Sequence, residues 1–411
     1  MDSDSSDDYL KKRKRTKISR EDCPYLKTVN RFVLDFDFEK VCCETLTNVN
    51  VYACLVCGKC LHGRSSGTPA YSHSMEHDHH VFMNLADQKA FCLPDNYEII
   101  DKSLDDIKRN LDPTFTEHDL ESIPTSSLSL TGTPFVPGIV GLNPIRDDSY
   151  LNSAIHALVP LAPIRDIFLT LARNSTPTLS DSFSELVRKM YNAESFKGIV
   201  SPHAFLQAVG RESSKEFFTS YNDPIKFIDW FLPTLDSQLT ISKIDYSLKS
   251  SFQNSFGLEN LWSLALDLPP ISVFKDDTET AIPTVPLVDI LTKKLETYST
   301  IKLSSDYLIL KINRFVKNDF FTEKDNTIVR YPLRGLDISD AINDGGIHQF
   351  DLVGVISHEG SKPDSGAFKT YTMARDGTWY ECNGLRISKI LPQSVAVVES
   401  YITIWKRSHS S

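Results

Sequence analysis

The chain has 411 residues, of which 41% are hydrophobic and 24% charged, and its formal net charge is −10 at pH 7. This length supplies two or three hydrophobic cores, because a domain usually holds about 100–200 residues. No apolar run approaches the length of about 20 residues that crosses a bilayer, so we expect no contact with a membrane. The first thirty residues carry charges where a secretory leader has its apolar core, so we expect an intracellular protein. The acidic balance makes proteins the expected partners, with RNA contact secondary or absent.

Residues 1–20 form a highly charged N-terminal segment. An acidic stretch at 2–8 is followed by the basic block KKRKR at 11–15, and few apolar side chains accompany them. Such a segment cannot offset the entropy cost of ordering, so we predict a disordered tail. The basic block is typical of a nuclear localisation signal, the alternative being a solvated run of charge. We therefore expect the protein in the nucleus.

Three further regions differ in composition. Residues 21–110 are rich in Cys and His, residues 111–134 are rich in Pro, Ser and Thr and indicate a linker, and residues 135–408 have a mixed composition. In the last region the helical segments precede the strands, which predicts an α+β fold. Periodicity predicts helices at 149–159 and 202–232, and strands at 307–312, 350–357, 368–373 and 396–405.

The cysteines are concentrated near the N-terminus. Seven of the eight lie before residue 93, at positions 23, 42, 43, 54, 57, 60 and 92. Intracellular thiols stay reduced, so this clustering favours a metal over disulfides. The CxxC pair Cys54 and Cys57 is followed by a histidine cluster at positions 73, 77, 79 and 80, which suits the tetrahedral thiolate and imidazole ligands of zinc. Cys60 extends the run to CxxCxxC, but an iron–sulfur cluster would need a fourth cysteine, and histidines occupy that region instead.

The order of these residues resembles the UBP-type zinc finger of ubiquitin-specific proteases. The matching positions are Cys54, Cys57, the sequence His62-Gly63-Arg64, His73, and the sequence His79-His80-Val81. The resemblance implies one structural Zn²⁺ held by Cys54, Cys57, His73 and His79.

Further metal sites of the family are incomplete in this chain. In members with several zinc ions, a second site corresponds to His62 and Pro69, and proline cannot ligate a metal. Cys23 and Cys92 occupy ligand positions whose partners correspond to Tyr25 and Asp95, which favours buried thiols in a core. The sequence leaves open whether Cys23 with Cys92, or a group at positions 42, 43, 60 and 62, holds a second metal.

Arg64 corresponds to the family arginine that captures the free C-terminus of ubiquitin together with aromatic side chains. The resemblance makes Arg64 a candidate contact for a ubiquitin tail. The alternative, which we favour at this stage, is a structural or surface arginine.

A second resemblance concerns the catalytic domain. The sequence GLNPIRDDSYLNSAIHAL at 141–158 resembles the nucleophile box of the same proteases, in which a cysteine opens a helix. A helix N-terminus lowers the pKa of a thiol, which explains why the chemistry uses cysteine there. This chain has Ser149 at the nucleophile position. It has Pro144, which offers no donor, where the family has the oxyanion-stabilising Asn.

The remaining boxes are also present with substitutions. The sequence SGAFKTY at 365–371 resembles the box of the general base and has Ala367 where the family has histidine. Asn383 corresponds to the residue that orients this base, and Arg314-Phe315 resembles a further family motif. The resemblance implies a papain-like ubiquitin-specific-protease fold with thumb, palm and fingers.

The substitutions predict that peptidase activity is absent. A serine hydroxyl needs an adjacent base to attack at neutral pH, and Ala367 supplies none. His358 is a candidate substitute base, but it matches a family histidine outside the triad, so we interpret it as structural.

Longer sequence runs from Cys23 to Arg407 resemble the inactive, splicing-associated branch of the family. That resemblance implies a nuclear scaffold that promotes assembly or stability of the U4/U6.U5 tri-snRNP through its protein subunits, and hence pre-mRNA splicing. Two alternatives are an adaptor that binds ubiquitin or a ubiquitin-like protein, and a residual deubiquitinase.

Overall fold

The structure is a computed structural model, and it describes residues 19–20, 22–145, 149–174, 177–218, 223–241, 246–270, 283–317, 322–342, 344–363 and 365–408. The basic block at 11–15 and the acidic stretch at 2–8 lie outside these residues. The chain divides into two compact units, Met1–Leu111 and Asp112–Ser411. No helix in the described residues is both long and apolar enough to cross a membrane.

The first unit is built on a six-stranded sheet in the order β1-β6-β5-β4-β2-β3. The strands are β1 (Ser19–Arg20), β2 (Val51–Cys54), β3 (Cys60–His62), β4 (Val81–Asn84), β5 (Ala90–Cys92) and β6 (Tyr97–Ile99). β1 runs parallel to β6, and the other neighbours are antiparallel. A small core that includes Tyr52, Leu61, Phe82 and Phe91 holds the sheet against its helix. A core of this size gives limited stability by itself, so a metal ligand set beside it matters energetically.

Two helices complete the first unit, α1 (Pro69–His77) and α2 (Asp105–Leu111). Pro69 is in the first turn of α1, where its fixed φ angle favours helix and its missing N–H costs nothing. Asp78 ends the helix in the left-handed conformation with φ 56°. The chain therefore reverses at once after α1, which brings the residues that follow back towards those on the helix.

In the second unit most helices precede the main sheet, as the sequence predicts. They are α3 (Asp119–Ser122), α4 (Ser149–Leu158), α5 (Ala162–Thr170), α6 (Leu179–Tyr191), α7 (His203–Glu212), α8 (Pro224–Ile241), α9 (Leu248–Phe252), α10 (Leu287–Leu295) and α11 (Pro392–Val395). Every residue of α4 after Ser149 is buried, so this helix lies in the centre of the core.

The strands of the second unit form one large sheet and several small ribbons. They are β7 (Ser127–Leu128), β8 (Pro134–Phe135), β9 (Gly141–Leu142), β10 (Ile199–Val200), β11 (Asn254–Phe256), β12 (Glu259–Leu261), β13 (Leu264–Asp267), β14 (Thr284–Pro286), β15 (Ile301–Lys302), β16 (Tyr307–Asn313), β17 (Phe315–Lys317), β18 (Thr322–Lys324), β19 (Ile328–Arg330), β20 (Leu336–Asp337), β21 (Gln349–Lys362), β22 (Ser365–Met373), β23 (Trp379–Asn383), β24 (Arg386–Ile390) and β25 (Ser400–Arg407). The eight-stranded sheet has the order β13-β16-β25-β21-β22-β23-β24, with β20 paired to β21. One core cluster contains the α4 side of this sheet and a second contains α10 and the other side.

Three predicted segments differ in detail from the structure. The helix predicted at 202–232 is two helices, because Ser214 and Lys215 have φ angles of 51° and 68° and a 3₁₀ turn follows at Glu216–Phe218. The strand predicted from residue 396 starts at Ser400, because α11 precedes it. Residues 112–134, which lie in the predicted linker, belong to the second unit, and Phe115 packs against its core.

Candidate metal centre and cleft

The residues predicted to bind zinc converge in the first unit. One ligand atom from each of Cys54, Cys57, His73 and His79 lies within 4.8 Å of all the others. The Cys54 Sγ atom is 3.6 Å from His79 Nδ1, Cys57 Sγ is 3.4 Å from His73 Nε2, and the two ring nitrogens are 3.0 Å apart. A tetrahedral zinc ion separates such ligand atoms by roughly 3.3–3.8 Å. The two S–N distances lie in this range and the N–N distance is a few tenths of an ångström shorter, so the four residues fit zinc.

Local backbone structure explains why these side chains meet. Cys54 ends β2, and the chain turns so that the Gly58 N–H donates to the Cys54 carbonyl over 2.8 Å. Gly58 has φ +80°, and a Cβ at this position would lie 2.4 Å from the Val33 carbonyl oxygen, so only glycine fits the turn. His73 lies in α1 and His79 in the short segment between α1 and β4. The turn after β2 therefore positions Cys54 and Cys57, and α1 with the segment that follows it positions His73 and His79.

The cluster is buried enough to disfavour charge on its own. Burial raises the pKa of the Cys54 thiol to about 12 and lowers the pKa of His73 to about 4. The neutral imidazole is the form that binds zinc, whereas the thiol must lose its proton. A divalent cation would supply the positive charge that stabilises a thiolate at this buried position.

The other cysteines of the first unit form no comparable ligand set. No second group of three or more Cys, His, Asp or Glu ligand atoms lies within 4.8 Å in the parts of the chain that the structure describes. The Tyr97 hydroxyl donates to Cys23 Sγ over 3.2 Å, and Cys42 Sγ accepts the Thr45 N–H over 3.4 Å. The neighbour of the Cys23 thiol is therefore the phenol of Tyr97, whereas a zinc site at Cys23 would need another thiolate or imidazole there.

Arg64 is engaged within its own unit. Its guanidinium carbon lies 4.0 Å from the centroid of the Phe91 ring, and it donates to Asn96 Oδ1 over 2.5 Å. These contacts stabilise the side chain in place through a cation–π interaction and a hydrogen bond. Arg64 thus has a structural explanation that needs no ligand.

The second unit contains a cleft of about 720 Å³ beside the N-terminus of α4. Its floor is formed by α4 and its wall by the hairpins of β22, β23 and β24. The lining residues are Pro144, Ser149, Asn152, Ser153, His156, Ser365, Gly366, Ala367, Phe368, Cys382, Asn383, Gly384, Leu385 and Arg386. The four positions predicted from the sequence as nucleophile, oxyanion donor, base and orienting residue all lie in this one cleft.

A backbone N–H of the cleft wall contacts the Ser149 hydroxyl. Its Oγ atom accepts the Phe368 N–H over 3.2 Å, whereas a nucleophile must donate its proton to a base. Neither ring nitrogen of His156 or of His358 has a hydrogen-bond partner in the described parts of the chain. Among the described residues, no hydrogen bond joins an imidazole nitrogen of His156 or His358 to Ser149 Oγ.

The sequence reasoning missed His156 and Asn152 as cleft residues. Both are buried, and Asn152 Oδ1 and both ring nitrogens of His156 have no hydrogen-bond partner in the described residues. Burial lowers the pKa of His156 to about 3, so this side chain is neutral. The sequence contains a pattern that could have identified them. Four residues follow the i, i+3, i+4, i+7 spacing of one helix face: Ser149, Asn152, Ser153 and His156.

Two aromatic rings pack against the ring of His358. Its ring lies 5.3 Å from that of Phe315 and 4.8 Å from that of Phe368, measured between centroids. A Cβ on Gly366 would lie 2.9 Å from His358 Nε2, so the neighbouring strand leaves space for this ring only because residue 366 is glycine. Burial lowers the pKa of His358. This environment agrees with the structural interpretation.

Arg314 connects three segments of the second unit. It is completely buried, and its guanidinium donates to the carbonyl oxygens of Ser400, Asp325 and Thr327 over 2.6, 3.0 and 2.8 Å. Charged donors to backbone carbonyls form strong hydrogen bonds in such a dry site. Arg314 therefore stabilises the fold and does not face the cleft lining.

Family comparisons agree with both units. Residues 140–405 match the family model "Ubiquitin carboxyl-terminal hydrolase", and residues 42–104 match "Zn-finger in ubiquitin-hydrolases and other protein". Over 99% of this chain and 84% of the relative, the sequence is 37% identical to ubiquitin carboxyl-terminal hydrolase 39 of Homo sapiens. Over 93% of this chain and 88% of the relative, it is 34% identical to the probable mRNA-splicing protein ubp10 of Schizosaccharomyces pombe.

A solved structure supports the same assignment. The crystal structure of an essential yeast splicing factor superposes with a TM-score of 0.82 and 26% identity, covering 94% of this chain and all of that one. The fold is thus an α+β ubiquitin-specific-protease fold with a UBP-type zinc finger. With the cleft at α4 and the Cys/His cluster at β2 both in the matched regions, the chain belongs to the ubiquitin carboxyl-terminal hydrolase family and resembles its splicing-factor members.

Proposed function

We propose that this chain is a non-catalytic scaffold in pre-mRNA splicing, which promotes assembly or stability of the U4/U6.U5 tri-snRNP in the nucleus. The observation that carries the proposal is the cleft beside α4. It keeps the family architecture but has Ser149, Ala367 and Pro144 where hydrolysis needs a nucleophile, a base and an oxyanion donor. Asn383, which corresponds to the residue that orients the base, remains with no base to orient.

The chemistry of the cleft argues against hydrolysis. Loss of one oxyanion donor alone typically costs about 10²–10³ in rate, and the nucleophile and base are replaced as well. Cys382 also lines the cleft, but burial raises the pKa of its thiol, which disfavours the reactive thiolate. We therefore infer that this surface binds proteins without hydrolysing them.

The names of the relatives support the splicing role. The Schizosaccharomyces pombe relative carries an mRNA-splicing name, and the superposed yeast structure is that of a splicing factor. The tri-snRNP and its protein subunits are our inference from the same resemblance. Pre-mRNA splicing takes place in the nucleus, which agrees with the basic block at 11–15.

We further propose one structural Zn²⁺ on Cys54, Cys57, His73 and His79. The ligand distances and the burial of the cluster support this assignment. Bound there, the ion would join the β2 turn to α1 and stabilise a unit whose core is small.

Two measurements test the main proposal. Purified protein incubated with a fluorogenic ubiquitin C-terminal substrate should release fluorophore at the rate of buffer alone. In nuclear extract of the source organism depleted of this protein, addition of the chain should restore tri-snRNP sedimentation and splicing of a reporter transcript. Turnover that Ser149→Ala abolishes, or normal splicing in the depleted extract, would contradict the proposal.

The adaptor alternative makes a different prediction. If a ubiquitin tail bound the first unit through Arg64, its carboxylate would accept from guanidinium N–H groups other than the one that Asn96 accepts. Titration with ubiquitin, with Arg64→Ala as the matched variant, distinguishes the two. We expect no saturable binding, and binding that Arg64→Ala removes would favour the adaptor.

A further inference from the structure

The strand β24 forms one edge of the eight-stranded sheet. Its inner side pairs with β23 from Trp379↔Ile390 to Asn383↔Arg386. In the parts of the chain that the structure describes, no strand pairs with its other side. An edge of this kind presents backbone N–H and C=O groups that an extended segment can pair with.

The surface at this edge differs in charge from the protein as a whole. Within β24 (Arg386–Ile390) the sequence contains no Asp or Glu, and its charged side chains are those of Arg386 and Lys389. Both are exposed, in a chain whose net charge is −10. Because side chains alternate along a strand, the two cations lie on opposite faces of β24. A paired segment would meet one cation on each face.

Exposed apolar side chains lie at both ends of β24. Leu385 precedes the strand and is 47% exposed, whereas Leu391 follows it and is 69% exposed. Native sheets do use exposed Lys and Arg to prevent pairing at their edges. That purpose does not explain the exposed aliphatic side chains of Leu385 and Leu391 at the ends of the same strand, which favour association instead.

The β23–β24 hairpin is fixed by contacts at its turn. The Leu142 N–H of β9 donates to the Gly384 carbonyl over 3.0 Å, and a Cβ on Gly141 would lie 2.6 Å from the Leu385 carbonyl oxygen. β9 thus packs directly against the turn. A fixed edge loses little conformational freedom when a partner binds.

We propose that β24 is a docking edge for an extended, acidic segment of a partner protein, which adds to the sheet as a further strand. Carboxylates three positions apart in that segment pair with Arg386 and Lys389 on the two faces, and its apolar side chains cover Leu385 and Leu391. The inference rests on the proposed non-catalytic role, because it names the kind of partner contact that a scaffold makes.

A defined peptide probe tests the edge directly. The octapeptide T-V-E-V-T-E-V-T, blocked at both ends, has glutamates at its third and sixth positions, and a matched peptide has lysine at both. Each is titrated against the full chain, and amide hydrogen exchange is measured along the whole sequence. We expect the glutamate peptide to slow exchange in β24 and the lysine peptide to bind about tenfold more weakly, since each cross-strand pair changes from attraction to repulsion.

Charge reversals at β24 and at a distant site show whether peptide binding depends on the charges of this edge or on the net charge of the protein. Arg386→Glu/Lys389→Glu should weaken the glutamate peptide about tenfold. Lys293→Glu/Lys302→Glu reverses two exposed lysines elsewhere and should leave binding unchanged. Unchanged exchange in β24, equal binding of the two peptides, or equal binding by the Arg386→Glu/Lys389→Glu variant overturns the inference. Co-sedimentation of the unmodified chain with tri-snRNP is scored separately, and its failure counts against the proposed function and not against the edge.

Discussion

The Cys/His cluster of the first unit and the cleft of the second unit differ in which features of the family they retain. In the cluster, all four predicted ligand side chains are present and converge. In the cleft, the helix and the hairpins are present, but the side chains at the positions that the family resemblance predicts to react are Ser149, Ala367 and Pro144. A structural metal is part of the folding free energy, whereas a catalytic group is not. We therefore expect substitutions in the cleft to cost less stability than substitutions at the proposed metal ligands.

The sharpest way to break this comparison is to remove a metal ligand. Cys57→Ser should eliminate the zinc and destabilise the first unit by an amount on the order of 10 kcal/mol, because a small core cannot replace the ion. Metal analysis should find one zinc per unmodified chain and far less in the variant, and limited proteolysis should cut within residues 42–104. Cys43→Ser, at an exposed cysteine outside the cluster, is the matched control and should be neutral. A Cys57→Ser variant that keeps its zinc would contradict the assignment.

A second test removes a retained structural residue of the second unit. Arg314→Met should reduce the free energy of unfolding by about 3–5 kcal/mol, because it leaves buried carbonyl groups unpaired. Chemical denaturation measured by tryptophan fluorescence checks this value. Arg330→Met, at an exposed arginine of β19, should change stability little. Equal effects of the two substitutions would show that Arg314 does not hold the fold.

The third prediction concerns how the buried imidazole of His156 makes stability depend on pH. Its pKa in the folded protein is about 3, below the ordinary value of 6.5. As the pH falls below 6.5, the unfolded chain takes up a proton that the folded protein refuses, so stability decreases with falling pH until the folded pKa is reached. From pH 7.5 to pH 5 this group alone should remove about 2 kcal/mol.

His156→Gln should abolish this part of the pH dependence while keeping a polar side chain of similar size. Denaturation curves at several pH values measure the slope, and His118→Gln, at an exposed histidine, is the control. A slope unchanged in His156→Gln would mean that the buried imidazole titrates normally.

Local sequence patterns predicted some features of the fold and the site, and features that depend on distant contacts were not predicted. Spacing predicted the CxxC pair with a nearby histidine cluster and also α4, because a CxxC turn and a helical period are local patterns. The choice of His73 and His79 within the histidine cluster came from the family resemblance. The helix predicted at 202–232 was wrong in its continuity, because left-handed φ angles at Ser214 and Lys215 have no strong signature in non-glycine residues. The buried, unpartnered ring of His156 and the open edge of β24 depend on contacts between distant segments, which no local pattern encodes. Motif matching also concentrates attention on reacting positions, and His156 corresponds to none of them.

The smallest effect is expected where an active protease would show its largest. Ser149→Ala removes one hydroxyl that accepts the Phe368 N–H, and should reduce stability by at most about 1 kcal/mol. Because no described base contacts this hydroxyl, hydrolysis of a ubiquitin C-terminal substrate should equal the buffer rate before and after the substitution. Splicing and tri-snRNP sedimentation should be normal with Ser149→Ala and impaired with Cys57→Ser. Ser237→Ala, at an exposed serine of α8, serves as the control for serine removal from a helix. A folded Ser149→Ala protein that fails in splicing would show that the cleft performs a reaction, and the contrast between the two regions would then be wrong.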